Sequence, residues 1–445
     1  MGIRNSLKKI KSLLKYDYEI AQGEMTTILD KIQYLEEESA NIKCAMNKMS
    51  EEYEKVIKNF NYVNLETLQL NNLNSTGKQK LLICGFYGAI NLGDELMLEI
   101  LLKEIEKTNA FDVTIMLCDN QYIDITQYGK YNFIHYPLNI VDLNNIANYY
   151  DCLLFGGGAH IDDYGYDDDK HLSLGRILTD LTMRFIVFNK KTALYGLSSN
   201  NELTNIEYIN KLKYIVDNCT YFSIRDTYSI DVLKKNGIDT DKIILVDDIV
   251  FASKYKSIKQ AKKELRIGIV FICNEENKNK NEEYILTLIS YLNKKREKYF
   301  IDLIPFYDYM DNDHNHYLEL MKKVQEKNVN IRSMPKNMED LQIVFNENDY
   351  IISMRYHATL IANLMNKKVL NIIYNKHRHY DNKMKYLYEK YKFEDNNIIY
   401  GEDLKNKNLD LLFTPNKVNY NNEYREKATS DIAKMLKVIK TEGER

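Results

Sequence analysis

The chain has 445 residues, which is enough for two or three domains of ordinary size. Hydrophobic residues make up 44% and charged residues 28%, a composition that excludes disordered, collagen-like and disulfide-scaffold proteins. The 61 basic and 64 acidic side chains leave a net charge of −3, so a general nucleic-acid-binding surface is not expected. Six widely spaced cysteines without a CxxC pair indicate buried thiols in a reducing compartment.

The first 15 residues have the pattern of a basic amphipathic helix. They carry five cations and no acid, and their apolar residues fall near one helical face. Such a helix suits an anionic membrane surface, and a solvated helix end explains the same pattern. No stretch reaches the roughly 18 apolar residues needed to span a bilayer. We therefore expect a cytoplasmic protein, with residues 1–15 as a candidate peripheral contact with the inner membrane face.

Residues 25–60 repeat apolar side chains at alternating steps of three and four. Over about five heptads this spacing predicts a coiled-coil seam, and therefore a homo-oligomer that forms through residues 25–60. A single long helix docked on its own globular body is the alternative. We divide the chain into a helical segment at 1–62, a linker at 63–79, two lobes at 80–255 and 256–415, and a final helix within 416–445.

From Lys80 onward, short apolar strands alternate with amphipathic helices, which predicts βαβ units on parallel sheets. The first strand, 81–84, leads into a loop with three glycines and then a helix. Backbone amides in such a loop can approach a ligand closely. The ligand contacts predicted here are Gly85, Gly88, Asn91, Gly93, Asp94 and Glu95. The spacing is neither GxGxxG nor a P-loop, so neither a nicotinamide nor ATP is implied.

A second glycine loop follows the predicted strand 151–155. Its three glycines, Gly156, Gly157 and Gly158, are predicted to approach a ligand in the same way. The acidic residues between 162 and 169 match no EF-hand spacing, so we interpret them as a solvated loop and predict no metal site. The role of His160 stays open.

The predicted strand 221–224 ends at Arg225, and Asp226 is placed to cap the helix that follows. A fixed guanidinium binds carboxylate or phosphate in a bidentate way, with a surface ion pair as the alternative. In the second half, strands near 266–271, 300–304, 350–352 and 369–373 alternate with helices. Two α/β lobes with a cleft between them are the expected architecture.

Arg355 and His357 follow the predicted strand 350–352 and open a helix. They are expected at the carboxyl edge of the sheet, where open α/β folds bind ligands. A histidine there can act as acid or base, although a structural histidine fits the same position. A cationic cluster suited to a multiply charged anion comes next, and it contains Lys376, His377, Arg378, His379 and Lys383.

Five motifs occur in order along the chain. They are glycine-aromatic-glycine with Asn-x-Gly-Asp-Glu (Gly85–Glu95), the triple glycine (Gly156–Gly158), Arg-Asp-x-x-Ser (Arg225–Ser229), Asp-x-x-Phe (Asp248–Phe251) and Arg-x-His (Arg355–His357). Together they resemble the polysaccharide pyruvyl transferase family over roughly residues 80–390. The resemblance implies two Rossmann-like lobes of GT-B type, an acceptor side in the first lobe and a donor side in the second.

The resemblance also implies an activity. Family members transfer a pyruvyl group from phosphoenolpyruvate to a sugar as a ketal, which here would be a sugar of a cell-surface polysaccharide or of its precursor, lipid-linked or not. Phosphoenolpyruvate is the donor substrate, and no cofactor is implied. The family's phosphoenolpyruvate-binding arginine corresponds to Arg225 and its active-site histidine to His357. The third basic position falls on His377, with Lys376 before it and Lys383 closing a repeated pattern six residues later.

This chemistry needs a proton at the methylene carbon, attack by two hydroxyls and departure of phosphate. We assign His357 to proton transfer and Arg225, Arg355 and Lys376 to holding the anionic charge. The glycine loops are expected to hold the acceptor sugar or its diphosphate. Two other functions fit the sequence: a GT-B glycosyltransferase that uses a nucleotide sugar, and an inactive coiled-coil assembly protein.

Overall fold

The computed structural model describes residues 77–118, 129–136, 140–166, 173–199, 201–256, 264–272, 278–295, 299–308, 312–324, 326–373, 379–393, 398–404 and 422–440. All of them belong to the compact unit Val63–Arg445. The predicted amphipathic helix and coiled coil lie outside the described residues, as do Lys376 and His377.

A parallel sheet organises the first half of this unit. Within the described residues its strands are β1 (Gln79–Cys84), β2 (Phe111–Leu117), β3 (Asn132–His135), β4 (Cys152–Phe155), β5 (Gly158–Ile161), β6 (Lys191–Ser199), β7 (Tyr221–Ile224) and β8 (Ile244–Leu245). Their order is β3-β2-β1-β4-β6-β7-β8, with β5 beside β6. The helices are α1 (Leu92–Thr108), α2 (Ile140–Tyr149), α3 (Leu174–Val187), α4 (Ile206–Asn218) and α5 (Thr227–Lys235), followed by a 3₁₀ turn at Ile249–Ala252.

A second parallel sheet has the order β11-β10-β9-β12-β13-β14. Its described strands are β9 (Leu265–Val270), β10 (Tyr299–Leu303), β11 (Val329–Ile331), β12 (Tyr350–Ser353), β13 (Lys368–Ile373) and β14 (Ile398–Tyr400). The helices are α6 (Lys278–Asn293), α7 (Asp313–Met321), α8 (Met338–Glu347), α9 (Tyr356–Leu364), α10 (His379–Tyr391) and α11 (Asn422–Ile439), with a 3₁₀ turn at Gly401–Asp403. The expectation of βαβ units on parallel sheets is confirmed.

Both sheets are covered on their two faces, which explains why their central strands are apolar runs rather than alternating ones. All residues of β4 and of β12 are buried. Each sheet has its own hydrophobic core, one around Phe155 and Phe185 and the other around Phe271 and Tyr317. In both sheets the strand order reverses next to the first strand, between β1 and β4 and between β9 and β12. Open α/β sheets bind ligands at such a point.

The last helix, predicted within 416–445, is present and packs on the first sheet. Tyr424 of α11 and Tyr391 of α10 pack on Phe251, with ring centroids 5.9 and 4.3 Å away. Lys427 binds the buried carboxylate of Asp247 at 2.5 Å, and the Tyr391 hydroxyl donates to the same carboxylate at 2.7 Å. Within the described residues, no helix is both long and apolar enough to cross a membrane.

A short backbone junction joins the two halves next to the glycine loop. The amide of Leu92 donates to the carbonyl of Phe306 at 3.0 Å, and the amide of Asp308 donates to the carbonyl of Ile90 at 3.2 Å. These bonds fix the start of α1 against the loop that follows β10. The amino end of α1 is therefore held at the boundary between the two sheets.

Arg355 supports this junction through hydrogen bonds to Asp313 and to the backbone of Phe271. Its Nη2 donates to Asp313 Oδ1 at 2.6 Å and its Nε to the carbonyl of Phe271 at 3.2 Å. The other oxygen of the fully buried Asp313 accepts from the amides of Phe306 and Tyr307, both at 2.9 Å. Through Asp313, Arg355 thus fixes the loop at Phe306 and Tyr307, to which the start of α1 is bound. The predicted contact of Arg355 with a substrate anion stays a prediction.

We expect Asp313→Ala to lower the free energy of unfolding by about 3–5 kcal/mol, because it removes the buried carboxylate that accepts from the guanidinium of Arg355 and from two backbone amides. Denaturant unfolding measures the change. Lys322→Ala, which removes an exposed ion pair with Glu319, is the control and should change stability by no more than about 0.5 kcal/mol. Equal effects of the two substitutions would contradict the supporting role of Asp313.

Candidate active site

The loop between β1 and α1 is closed by its own side chains. Asn91 caps α1 by accepting from the Gly93 amide at 3.3 Å, and Glu95 Oε1 accepts from the Gly88 amide at 2.8 Å. Gly88 has a φ of +80°, which favours glycine at this turn. Asn91, Glu95 and Gly88 therefore build the loop, and their predicted ligand contacts stay predictions.

Three other predicted glycines make room for the protein's own side chains. A Cβ on Gly156 would lie 1.9 Å from the Tyr87 hydroxyl, and one on Gly85 would lie 2.5 Å from the same ring. A Cβ on Gly157 would lie 2.6 Å from Ile249. The packing of the buried Tyr87 and of the 3₁₀ turn thus accounts for these glycines.

The two remaining glycines face imidazoles. A Cβ on Gly93 would lie 2.2 Å from Nδ1 of His357. Gly158 has a φ of +145°, and its Cβ would lie 2.2 Å from His160 Nε2 and 3.0 Å from Asp94 Oδ1. Both positions therefore require glycine, because an imidazole lies against the backbone there. At Gly93 this places His357, which follows the second sheet, against the first turn of α1.

A buried triad lies where the two sheets meet. Arg225 follows β7, Asp248 follows β8 and His357 lies in the first turn of α9. Arg225 Nη1 donates to Asp248 Oδ2 at 2.6 Å and lies 3.3 Å from His357 Nε2. His357 Nε2 is also 3.6 Å from Asp248 Oδ2. The structure brings together Arg225 and His357, the two residues predicted as catalytic.

The charges of this triad follow from burial and pairing. Burial opposes ionisation of Asp248, but Arg225 and then His357 outweigh it and hold the pKa of Asp248 far below its usual value. The pKa of Arg225 is raised because its carboxylate partners outweigh the burial cost. Burial lowers the pKa of His357 in spite of Asp248 beside it. At neutral pH the triad therefore holds an ionised pair and a neutral imidazole.

Two neighbours of the triad are held neutral as well. Burial lowers the pKa of His160 to about 3, and its Nε2 lies 3.0 Å from the Gly157 carbonyl. Burial raises the pKa of Asp94 to about 8, with Glu95 and Asp248 adding to the effect and Arg225 opposing it. Asp94 is thus a carboxylic acid, not a carboxylate, at pH 7.

Lys383 of α10 is the one of the three alternative third basic residues that the structure describes. It is only 5% exposed, and burial lowers its pKa to about 8, against the attraction of Asp226 and Asp162. Arg225 also lowers its pKa, so the two cations share one region of the site. Asp226 itself caps α5 by accepting from Ser229 at 2.8 Å, as predicted.

The sequence did not predict the positions of three residues of the site. Asp248 is part of a predicted motif, Asp94 is one of several predicted ligand contacts in the first glycine loop, and no role is predicted for His160. The structure places all three beside Arg225. The signal for Asp248 is an acid three residues after the short strand β8, which pairs with the strand before Arg225. Within the described residues, no group of three or more His, Cys, Asp or Glu side chains is arranged to hold a metal ion.

Asp94→Asn should flatten the pH dependence of stability. The folded pKa values of Asp94 and Glu95, about 8 and about 7, exceed their unfolded values, so the native state holds protons that the unfolded chain has released. Stability therefore falls as pH rises between the unfolded and the folded pKa of each group, by about 1.4 kcal/mol per unit, up to about pH 8 for Asp94 and about pH 7 for Glu95. The pKa of His160 and His357 is lowered, which favours folding as pH rises below about 6.5, so the carboxyls dominate above that point.

Thermal and denaturant unfolding at pH 6.5 and 8 measure this effect. We expect Asp94→Asn to be more stable than the wild type at pH 8 by about 2 kcal/mol beyond any difference at pH 6.5. Asp231→Asn, on the exposed side of α5, is the control and should follow the wild type at both values. A parallel pH dependence of Asp94→Asn and wild type would contradict the raised pKa.

Comparison with solved structures supports the fold. UDP-GlcNAc 2-epimerase from Methanocaldococcus jannaschii, in complex with UDP-GlcNAc and UDP, is 16% identical, with a TM-score of 0.51 over 80% of this chain and 99% of that chain. The S. aureus MnaA–UDP co-structure is 10% identical, with a TM-score of 0.51 over 79% of this chain and 91% of that chain. These similarities show an α/β fold with parallel sheets of the GT-B type.

No curated protein matches the chain. The family described as polysaccharide pyruvyl transferase, in contrast, matches residues 91–377, more than half of the chain. The matched range contains Asp94, Arg225, Asp248 and His357, the residues that meet at the boundary between the sheets. Because this match covers more than half of the chain, the chain belongs to the polysaccharide pyruvyl transferase family, a family of enzymes.

Proposed function

We propose that the protein transfers the pyruvyl group of phosphoenolpyruvate to two hydroxyls of a sugar in a cell-surface polysaccharide or its precursor, which forms a ketal and releases phosphate. The observation that carries the proposal is a buried arginine with free donors beside a neutral histidine, in a chain of this family.

Arg225 supplies the anion contact. Within the described part of the chain, the hydrogen bonds of its guanidinium all start from Nη1, so Nε and Nη2 remain for a ligand. This edge of a guanidinium matches a carboxylate or a phosphate in a bidentate way. Lys383 supplies a second cation in the same region, and Lys376 and His377 remain candidates for a third.

His357 supplies the base. Its lowered pKa leaves it neutral at pH 7, ready to accept a proton from an attacking hydroxyl. Asp248, 3.6 Å from Nε2, stabilises the imidazolium that forms. The acceptor sugar would lie beside the glycine loops.

Arg225→Lys should weaken donor binding. A ligand at about 100 times its dissociation constant adds roughly 2.7 kcal/mol, a shift of several degrees in the unfolding midpoint. We expect phosphoenolpyruvate to shift the wild type, and we expect Arg225→Lys to lose most of this shift, because lysine keeps the charge beside Asp248 but lacks the bidentate edge. Arg184→Lys, on α3, is the control. An undiminished shift in Arg225→Lys would contradict the assignment.

Glycosyl transfer from a nucleotide sugar is the second candidate. The similar solved structures contain UDP or UDP-GlcNAc, which favours this candidate. Their similarity to this chain is a similarity of fold. The same unfolding assay with UDP-, GDP- and CMP-sugars separates the two functions. A shift with a nucleotide sugar and none with phosphoenolpyruvate would favour glycosyl transfer. The inactive assembly protein is the least supported function, because the chain belongs to a family of enzymes.

Residues 25–60 are proposed to join copies of the chain, while residues 1–15 contact the inner membrane face. Ile32→Lys with Ile42→Lys places two charges on the predicted seam and should convert an oligomer into a monomer in light scattering coupled to size exclusion. Gln33→Lys with Asn41→Lys adds the same charge off the seam and should leave the mass unchanged. A monomeric wild type would contradict the proposal.

A further inference from the structure

Asp94 is a buried acid whose carboxyl group has no hydrogen-bond partner among the described residues. It is the third residue of α1 and is 7% exposed. Within the residues that the structure describes, no donor or acceptor binds its carboxyl group, although the backbone amide of Asp94 donates to the Asn91 carbonyl at 3.0 Å. Burying a carboxyl group without hydrogen bonds costs free energy, so a feature of this kind points to a ligand that completes it.

The groups that face Asp94 explain its state. Tyr87 and Glu95 lie beside it on its own loop and helix, and Arg225 and Asp248 face it from the edge of the first sheet. Arg225 favours ionisation of Asp94, but it is already bound to Asp248 at 2.6 Å, and burial outweighs its attraction. The two carboxyl groups around one arginine thus differ sharply in their affinity for a proton.

Asp94 lies beside the reacting centre. Its Oδ1 is 3.0 Å from the Cβ position of Gly158, a position that His160 also contacts, and the residue before it, Gly93, lies against His357. A donor anion bound to the free edge of Arg225 would therefore lie near a protonated acid on α1 and a neutral base on α9.

We propose that Asp94 is the general acid that protonates the methylene carbon of the donor, and that His357 is a base for the first hydroxyl. This inference rests on the proposed function and extends it by dividing the proton transfers between two residues.

The proton balance closes with these two groups. Asp94 gives its proton to the methylene carbon, and the first hydroxyl attacks the adjacent carbon while His357 takes the hydroxyl proton. The carbon–oxygen bond to phosphate then breaks, and the phosphate leaves with the proton from His357. The second hydroxyl attacks the same carbon and returns a proton to Asp94. Ketal and hydrogen phosphate are the products, and both side chains regain their starting states.

The other candidates are less suited to this proton transfer. Asp248 is ionised and bound to Arg225. His160 and His357 are neutral imidazoles, which are poor acids. Lys383, with a pKa lowered to about 8, is the strongest rival, but its charge is balanced by Asp226 and Asp162. A neutral Asp94 also spares a highly charged donor the repulsion of a nearby carboxylate.

Phosphate release from phosphoenolpyruvate tests the proposal, with a panel of UDP-, GDP- and CMP-sugars as acceptors and the full-length chain as enzyme. Reactions in D₂O followed by mass spectrometry report one deuterium in the new methyl group. The variants are Asp94→Asn, Asp94→Glu and Lys383→Met, with Asp231→Asn as the control. Donor binding is measured separately from the unfolding midpoint at several phosphoenolpyruvate concentrations.

We expect Asp94→Asn to lose 10²- to 10⁴-fold in phosphate release, the usual contribution of a general acid, while its dissociation constant for phosphoenolpyruvate stays within about threefold. Asp94→Glu should recover part of the rate. The wild-type rate should fall as pH rises above about 8, and this fall should persist in Lys383→Met and disappear in Asp94→Asn.

Retention of more than a tenth of the wild-type rate in Asp94→Asn would overturn the inference. So would loss of the alkaline fall in Lys383→Met but not in Asp94→Asn, because it would assign the acid to Lys383. A wild type that neither binds phosphoenolpyruvate nor releases phosphate with any acceptor would instead overturn the proposed function, and the inference with it.

Discussion

The buried ion pair between Arg225 and Asp248 is the constraint on which the site depends. An isolated guanidinium with 6% exposure would cost several kcal/mol, and the 2.6 Å bond to Asp248 offsets this cost. The pairing also affects the charges around it. Burial keeps Asp94 protonated, and Arg225 does not reverse this because it is paired with Asp248. Burial also lowers the pKa of His357, and Arg225, 3.3 Å away, adds to this effect.

The fold brings these groups together from distant parts of the chain. Both sheets place their ligand-binding edge at the point where strand order reverses, and the hydrogen bonds between Ile90–Leu92 and Phe306–Asp308 hold the two edges against each other. Arg355 fixes this junction through Asp313 and so stabilises the contact between the halves, while its contact with a substrate anion stays a prediction. The close approach is possible because Gly93 leaves room for His357.

The sequence predicts the elements well where local pattern decides. The strand Tyr221–Ile224 and the cap at Asp226 are found as predicted, because an apolar run and a capping residue are local signals. The site is predicted only in part. Arg225 and His357 carry a recognisable chemistry, but the state of Asp94 depends on burial and on Asp248, more than 150 residues away. Likewise, Gly85 and Gly156 are explained by Tyr87, which only the folded chain brings to them.

A protonated carboxyl group in the site is a compromise between stability and chemistry. At neutral pH this acid is ionised in the unfolded chain and must take up a proton when the chain folds, which lowers the stability of the folded protein. A more stable protein would have an amide or an apolar side chain at position 94. An amide would keep the neutrality and the size but would have no proton to give. A carboxylate bound to a second cation would lose its proton, as Asp248 does. Only a buried acid whose neighbouring cation is already paired stays both neutral and acidic beside a bound anion, and this is the arrangement that α1, β7 and β8 create around Asp94.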